Sequence, residues 1–158
     1  MRVGITGHRG LPDKVASLVQ AEIRDIVSGY GVEDLTAVSC IADGPDAWFA
    51  QAVLDRGGRL EVVVPAEDYR DSLPHWHHTV YDALISRASE VHATGLATSN
   101  SQAHMTGSEI LVGLVDEVIA VWDGQPARGY GGTADVVRYA ESTGVTVRVA
   151  WPEGASRD

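Results

Sequence analysis

The sequence predicts a three-layer α/β fold: a doubly wound, mostly parallel sheet with helices on both faces. Three observations lead there. Short β-rich runs alternate with helical patterns along nearly the whole chain. The runs show little polar alternation, as expected of strands covered on both faces. Three of the runs are followed by glycine-bearing loops, "GHRG" at 7–10, "ADGPD" at 42–46 and "DGQPARGYGGT" at 123–133. Strand–helix alternation implies right-handed crossovers between parallel strands, which places all three loops on one edge of the sheet. Ligands of such sheets bind outside the carboxyl ends of the strands, near the point where strand order reverses.

Each element has its own signal. "RVGIT" (2–6) is a strand stopped by Gly7. Val15, Leu18, Val19, Ile23, Ile26 and Val27 fall at helical spacing over 13–28, and the pattern ends at "GYG". "LTAVSCIA" (35–42) is a second strand, and a helix with Pro45 in its first turn runs to Gly57-Gly58. "RLEVVV" (59–64) is a third strand, ended by Pro65. Residues 66–89 read as a turn and then a helix around "HTVYDALISRA", followed by a weaker fourth strand at 90–95. After the polar loop "ATSNSQ", residues 103–115 are helical and "EVIAVW" (117–122) is a fifth strand. "GYGGTADVV" (129–137) opens a helix that ends at Gly144, and "VTVRVAW" (145–151) closes the sheet. Residues 1–152 read as a single domain and 153–158 as a frayed tail.

Composition narrows the function. The 158 residues are 44% hydrophobic with a mean hydropathy of -0.05 and a net charge of -10. An acidic chain repels a phosphate backbone, so no nucleic-acid partner is expected. Any phosphate site must then be built from backbone N–H groups, helix N-termini and a few local arginines. Cys40 is the only cysteine and reads as a small buried hydrophobe. No apolar stretch approaches the roughly 20 residues of a membrane span, and the first residues enter a strand at once. The expected location is the cytoplasm.

Candidate ligand residues follow from the three loops. In "TGHRG" (6–10), Gly7 and Gly10 allow close approach to the backbone, Arg9 offers a forked cation, and His8 lies between them. The spacing is not that of a dinucleotide fingerprint, and a tight turn with solvated side chains is the competing reading. Asp43 on the ligand edge suits ribose hydroxyls, with Gly44 beside it, although caps use the same residue types. Asp46 in the first helical turn complements the helix dipole. Asp123 and Gly124 begin the third loop. Gly131, Gly132 and Thr133 expose N–H donors and a hydroxyl at a helix start, which is an anion site without lysine. Asp135 suits that helix end yet opposes a phosphate placed against it.

Other clusters carry less. His75, His77 and His78 invite a metal reading, but neither His92, His104 nor a nearby acid is selected as a third ligand by spacing, so no metal and no other cofactor is expected. Trp76 and Tyr69 suit either stacking on a base or ordinary packing. Glu109 and Asp135 are the weak candidates for a catalytic acid or base.

The order "ITGHRG", "ADGPD", "VIAVWDG", "GGTADVV" resembles the SLOG superfamily of Rossmann-like proteins. It includes the Lonely Guy phosphoribohydrolases and the nucleotide-binding core of DNA-processing protein A. The resemblance covers nearly the whole chain and is nearest to small single-domain members related to YspA and YpsA. It implies a nucleotide or nucleotide-derived ligand, phosphate on the Gly-Gly-Thr helix, and a homodimer. The enzymatic branch carries Pro-Gly-Gly-x-Gly-Thr-x-x-Glu and an Arg on the preceding helix, the pair that hydrolyses nucleoside monophosphates. Thr133 matches the motif's Thr, but the Glu position is Val136 and "HMTGSEILVGLV" has no Arg. Asp135 is one residue early, which turns it about 100° away on a helix. The expected function is therefore a binding or sensor module. The alternative is an N-glycosidic hydrolase in which Glu109, Asp135 or Arg128 substitutes.

Overall fold

The computed structural model describes residues 1–158, the side chain of Val32 excepted. Six strands form one sheet in the order β4-β3-β2-β1-β5-β6, and every neighbouring pair is parallel. The strands are β1 (Arg2–Gly7), β2 (Thr36–Ser39), β3 (Arg59–Val64), β4 (Glu90–Ala93), β5 (Glu117–Val121) and β6 (Thr146–Val149). The helices are α1 (Asp13–Ser28), α2 (Pro45–Asp55), α3 (Tyr69–Ser72), α4 (His78–Ser86), α5 (Ser101–Leu114) and α6 (Thr133–Ser142). The chain lays β1 to β4 outward in one direction, then returns past β1 to place β5 and β6 on its other side. Right-handed crossovers force the helices to change face at that reversal.

The core follows the same division. One apolar cluster joins α1, α2 and α4 to the sheet through Val19, Ile23, Phe49, Val53 and Leu84, and the other joins α5 and α6 through Met105, Leu111, Val112, Val136 and Ala140. The middle strands are buried on both faces, which is why they read as continuous apolar runs: β2 is buried along its whole length. The sequence places residues 66–89 in a turn and one helix. The structure divides them into α3, a 3-10 turn at His75–His77 and α4, because Pro74 at the start of the turn cannot continue α3. Residues 153–158, expected as a frayed tail, carry Arg157 back to the sheet edge and Asp158 to Arg128, whose guanidinium donates to it at 3.0 and 2.7 Å.

The strand reversal lies between β1 and β5. There Gly7 pairs with Val121, and the His8 N–H continues the ladder to the Val121 carbonyl at 3.1 Å. A Cβ at Gly7 would sit 2.9 Å from both Pro45 and Val121, so only glycine lets α2 begin this close to β1.

Candidate functional site

A cavity of about 280 Å³ opens at the carboxyl ends of β1, β2 and β3. Gly7, His8 and Arg9 form one wall; Gly131, Gly132 and Thr133 form another. Cys40 and Asp46 reach it from the β2 side, Tyr69 and His104 from α3 and α5, and Arg157 from the C-terminal residues. Two helix N-termini, those of α2 and α6, therefore supply residues to one space.

At the α6 end, Gly131 takes a left-handed conformation, φ 84°. The Gly131 N–H donates to the Asp135 carboxylate at 2.9 Å, and the Gly132 N–H to the Gly129 carbonyl at 3.2 Å. Asp135 thus secures the loop and does not line the cavity. The N–H groups of Thr133 and Ala134 find no protein acceptor among the described residues, nor does the Thr133 hydroxyl find a partner, although Thr133 is 7% exposed. Free N–H donors and an unpartnered hydroxyl at a helix N-terminus can cradle an anion.

His8 is 3% exposed. Its Nε2 lies 3.2 Å from both the Asp123 carboxylate and the Asp123 N–H. Burial first, then Arg157, hold the imidazole below its usual range, against the pull of Asp123. Nε2 serves one of the two at a time: unprotonated it accepts the N–H, and protonated it donates to the carboxylate. Asp123 meets the loop through His8 and through the Gln125 N–H at 3.0 Å, and Gly124 turns the loop without lining the cavity. His104 is likewise held low by burial, then by Arg9, and shares a 2.7 Å hydrogen bond with Ser99.

Arg9 and Asp43 do not stand apart as the sequence reading has them. Arg9 donates to one Asp43 oxygen from Nε at 2.9 Å and from Nη2 at 2.6 Å. Asp43 is 7% exposed and lines, with Gly10 and Gly44, a second hollow of about 530 Å³. Its carboxylate serves Arg9 first, because a buried charge needs its partner more than a ribose would.

The sequence reading missed Asp46 as a cavity residue. Its side chain accepts from no other side chain among the described residues. Burial pushes its carboxyl up to about 7, while the Ala42 backbone and Arg9 pull the other way. The loop that aims it is unusual. Ile41, fully buried, has a φ of 48°, a conformation costly for a β-branched residue. Three bonds hold it there: the Ser39 hydroxyl accepts the Ile41 N–H at 2.9 Å, donates to the Asp46 carbonyl at 2.9 Å, and His77 Nε2 donates to the Ile41 carbonyl at 2.9 Å. His77 is thus structural. His78 bonds the Leu73 carbonyl and His75 stacks on His78, so the three histidines do not converge on one point. Burial also pushes the Cys40 thiol up, yet Cys40 is only partly buried and borders the cavity instead of sitting in the core.

Solved structures match this architecture. DNA processing protein A from Streptococcus pneumoniae superposes with a TM-score of 0.65 at 21% identity, covering 94% of this chain and 49% of that one. The protein of the same name from Helicobacter pylori gives 0.68 at 16% identity, covering 99% and 68%. A molybdenum cofactor binding protein from Rippkaea orientalis gives 0.60 at 15% identity, covering 94% and 74%. The chain shares the Rossmann-like α/β fold of these structures. The chain spans about half the length of the Streptococcus protein. No protein-family profile and no curated sequence matches it.

Val136, at the position where the resemblance puts the enzymatic branch's glutamate, is 2% exposed and packs in the α5–α6 core. None of the three substitutes considered from the sequence lines the cavity. Glu109 lies on α5 but does not line it, and Asp135 is bound to Gly131. Arg128 is paired with Asp158 at the surface. Trp76 is 71% exposed beside the second hollow, while Tyr69 is buried and forms part of the first. Among the described residues, Glu61, Glu90 and His92 are the one cluster with metal-like spacing. Arg2, donating to Glu61 at 2.8 Å, already supplies the positive charge there. No helix is long and apolar enough to cross a membrane.

Proposed function

We propose that the chain binds a nucleotide or nucleotide-derived anion in the cavity between β1 and α6, as a sensor or binding module. One observation carries this reading. The N–H groups of Thr133 and Ala134 and the Thr133 hydroxyl are unpaired among the described residues, and Thr133 lines the same cavity as Arg9 and Arg157. The phosphate sits on the α6 N-terminus; Gly7, His8 and Arg9 shape the opposite wall. Molybdenum-cofactor-binding neighbours support a small-molecule ligand on this fold. The Helicobacter neighbour is described by its single-stranded DNA binding, and a chain of net charge -10 is ill suited to follow it there. A homodimer belongs to the same reading and is checked by sedimentation.

Thermal shift with nucleoside mono-, di- and triphosphates and inorganic phosphate tests the site. A ligand present at about 100 times its Kd stabilises by about 2.7 kcal/mol. Thr133→Val should lose most of that shift while keeping the unliganded melting temperature. If no nucleotide shifts the wild-type protein, the reading fails. Release of free base from a nucleoside monophosphate would replace the binding module with a hydrolase.

A further inference from the structure

The cavity holds a group that an anion site should avoid. Asp46 faces the same space as Gly131, Gly132 and Thr133, and no side chain among the described residues pairs with it. The nearest cation, Arg9, is committed to Asp43 by two hydrogen bonds. An anion entering this space therefore meets a second negative charge in a cavity of about 280 Å³. Two like charges sharing one small, half-open cavity cannot both stay ionised cheaply, so one takes up a proton.

We propose that Asp46 is a ligand-contacting residue: anion binding at the α6 N-terminus takes up one proton at the Asp46 carboxyl, which then donates a hydrogen bond to a ligand oxygen. The inference rests on the anion site proposed above. The step balances simply. One proton passes from solvent to a carboxylate oxygen, the carboxyl becomes neutral, and no covalent bond in the ligand changes. A neutral acid converts a repulsive contact into a short donor–acceptor one.

The surroundings favour this residue over its neighbours. Facing Asp46 are Arg9 and Asp43 from the two adjoining loops, Cys40 from the end of β2 and Tyr69 from α3. Across the cavity are His8, His104 and Arg157. Cys40 and Tyr69 are held protonated by burial, first of all. Both histidines are held below their usual range, again by burial first. Asp43 has Arg9 as its counter-ion. Asp46 is left as the acid whose burial alone already places its titration near neutrality, at about 7, so a bound anion needs to add little.

The direction with pH follows. If the bound form holds the proton, affinity is level below the free carboxyl's midpoint and falls as pH rises through it, roughly tenfold between about pH 6 and about pH 8. A phosphate's own second ionisation near pH 6 works in the opposite sense, adding negative charge as pH rises. Titration calorimetry with adenosine monophosphate and with inorganic sulfate, whose charge is constant over this range, separates the two. Measured at about pH 7.5 in two buffers of different ionisation enthalpy, it counts the protons taken up. For wild type, we expect net uptake with both probes and the roughly tenfold fall in sulfate affinity. Asp46→Asn should bind sulfate with no uptake and a flat profile. Binding by wild type without proton uptake overturns the inference and leaves the anion site standing. Full uptake in Asp46→Asn also overturns it and assigns the proton to His8 or His104. If neither probe binds wild type at any pH, the anion site itself fails. Unfolding of Asp46→Asn in urea, followed alongside, confirms that the variant retains the native fold.

Discussion

Replacing Asp46 by Asn should stabilise the unliganded protein, and more so at alkaline pH. Asp46 titrates at about 7 in the folded chain against 3.8 for an ordinary aspartate. Below about pH 4, both folded and unfolded chains hold the proton, and the carboxyl costs nothing. Between about pH 4 and 7 the unfolded chain has released its proton while the folded chain keeps it, so stability falls as pH rises. Above about 7 the folded chain carries a half-buried carboxylate and the full penalty. Roughly three pKa units at 1.36 kcal/mol each give a ceiling of about 4 kcal/mol. Asp46 borders a cavity that admits water, so an effect of about 2–4 kcal/mol is expected, or on the order of 5–15 °C in melting temperature for a chain of this size.

The assay is urea unfolding of wild type and Asp46→Asn at about pH 4.5 and about pH 8. Other carboxylates work in the opposite direction, Glu61 and Asp123 among them. Burial pushes Glu61 and Asp123 up, but the bonds from Arg2 and His92 to the first, and from the Gln125 N–H and His8 to the second, outweigh it. Their contribution is gained as pH rises, so the wild-type curve alone mixes both signs. The difference between the two proteins removes them, and it also removes any pH-independent cost of the Asn side chain. The gap should widen in favour of Asp46→Asn by about 2 kcal/mol or more from acid to alkali. A constant gap would mean that Asp46 titrates like a surface aspartate, and the cavity argument would fall with it.

Three further perturbations test the frame around the site. His77→Phe removes the donor to the Ile41 carbonyl from a residue 2% exposed. It should cost about 1–3 kcal/mol in urea unfolding, and a cost near zero would deny His77 its role in holding the left-handed Ile41. Gly131→Ala combines a φ of 84° with a Cβ placed 2.9 Å from the Ser101 carbonyl. It should lose about 1–2 kcal/mol and weaken anion binding, whereas Gly129→Ala, with nothing within 4 Å of its Cβ, should do neither. Glu61→Gln removes the carboxylate that Arg2 and His92 share. Since Glu61 is held below its ordinary 4.5, the stability it contributes is present above that value and is lost as pH falls through the lower folded value. The variant should unfold about 1–3 kcal/mol earlier at neutral pH and converge on wild type in acid. Parallel acid curves would refute it.

The fold was legible because its signals are local. Strands buried on both faces write themselves as apolar runs, and the glycine loops mark the edge they share. Residues 66–89 were misread because helical periodicity in "HTVYDALISRA" extends smoothly across a region that Pro74 divides. The site was half legible. Gly7, His8, Arg9, Gly131, Gly132 and Thr133 were found by their motifs, and the structure brings them to one cavity. Asp43 read as a ligand residue because nothing in the spacing tells that Arg9, 34 positions away, reaches it. Asp46 read as a helix-dipole residue because the sequence does not report the turn of Ile41 that aims it inward. One signal was available: Ser39, a small polar residue inside a buried strand, marks a place where backbone groups need a side-chain partner. Arg157 had no signal, since its contact with the cavity depends on where β6 delivers the chain.

The acidity of the whole chain sharpens what the cavity must do. An anion site in a protein of net charge -10 survives only if each nearby carboxylate is quieted locally. Asp43 is quieted by Arg9, with which it shares two hydrogen bonds. Asp123 is bound to the Gln125 N–H and to His8. Asp135 is tied back to the Gly131 N–H, outside the cavity. Each uses a different partner, and each leaves the α6 N-terminus unopposed. Asp46 has no side-chain partner, burial outweighs the pull of the Ala42 backbone, and a proton is the remaining means of neutralising it. The arrangement therefore makes the pH response of anion binding and the pH response of Asp46-dependent stability two readings of one titration. If the pH at which the urea gap levels off and the pH at which sulfate affinity begins to fall lie far apart, the carboxyl that stores the stability penalty is not the one that meets the ligand.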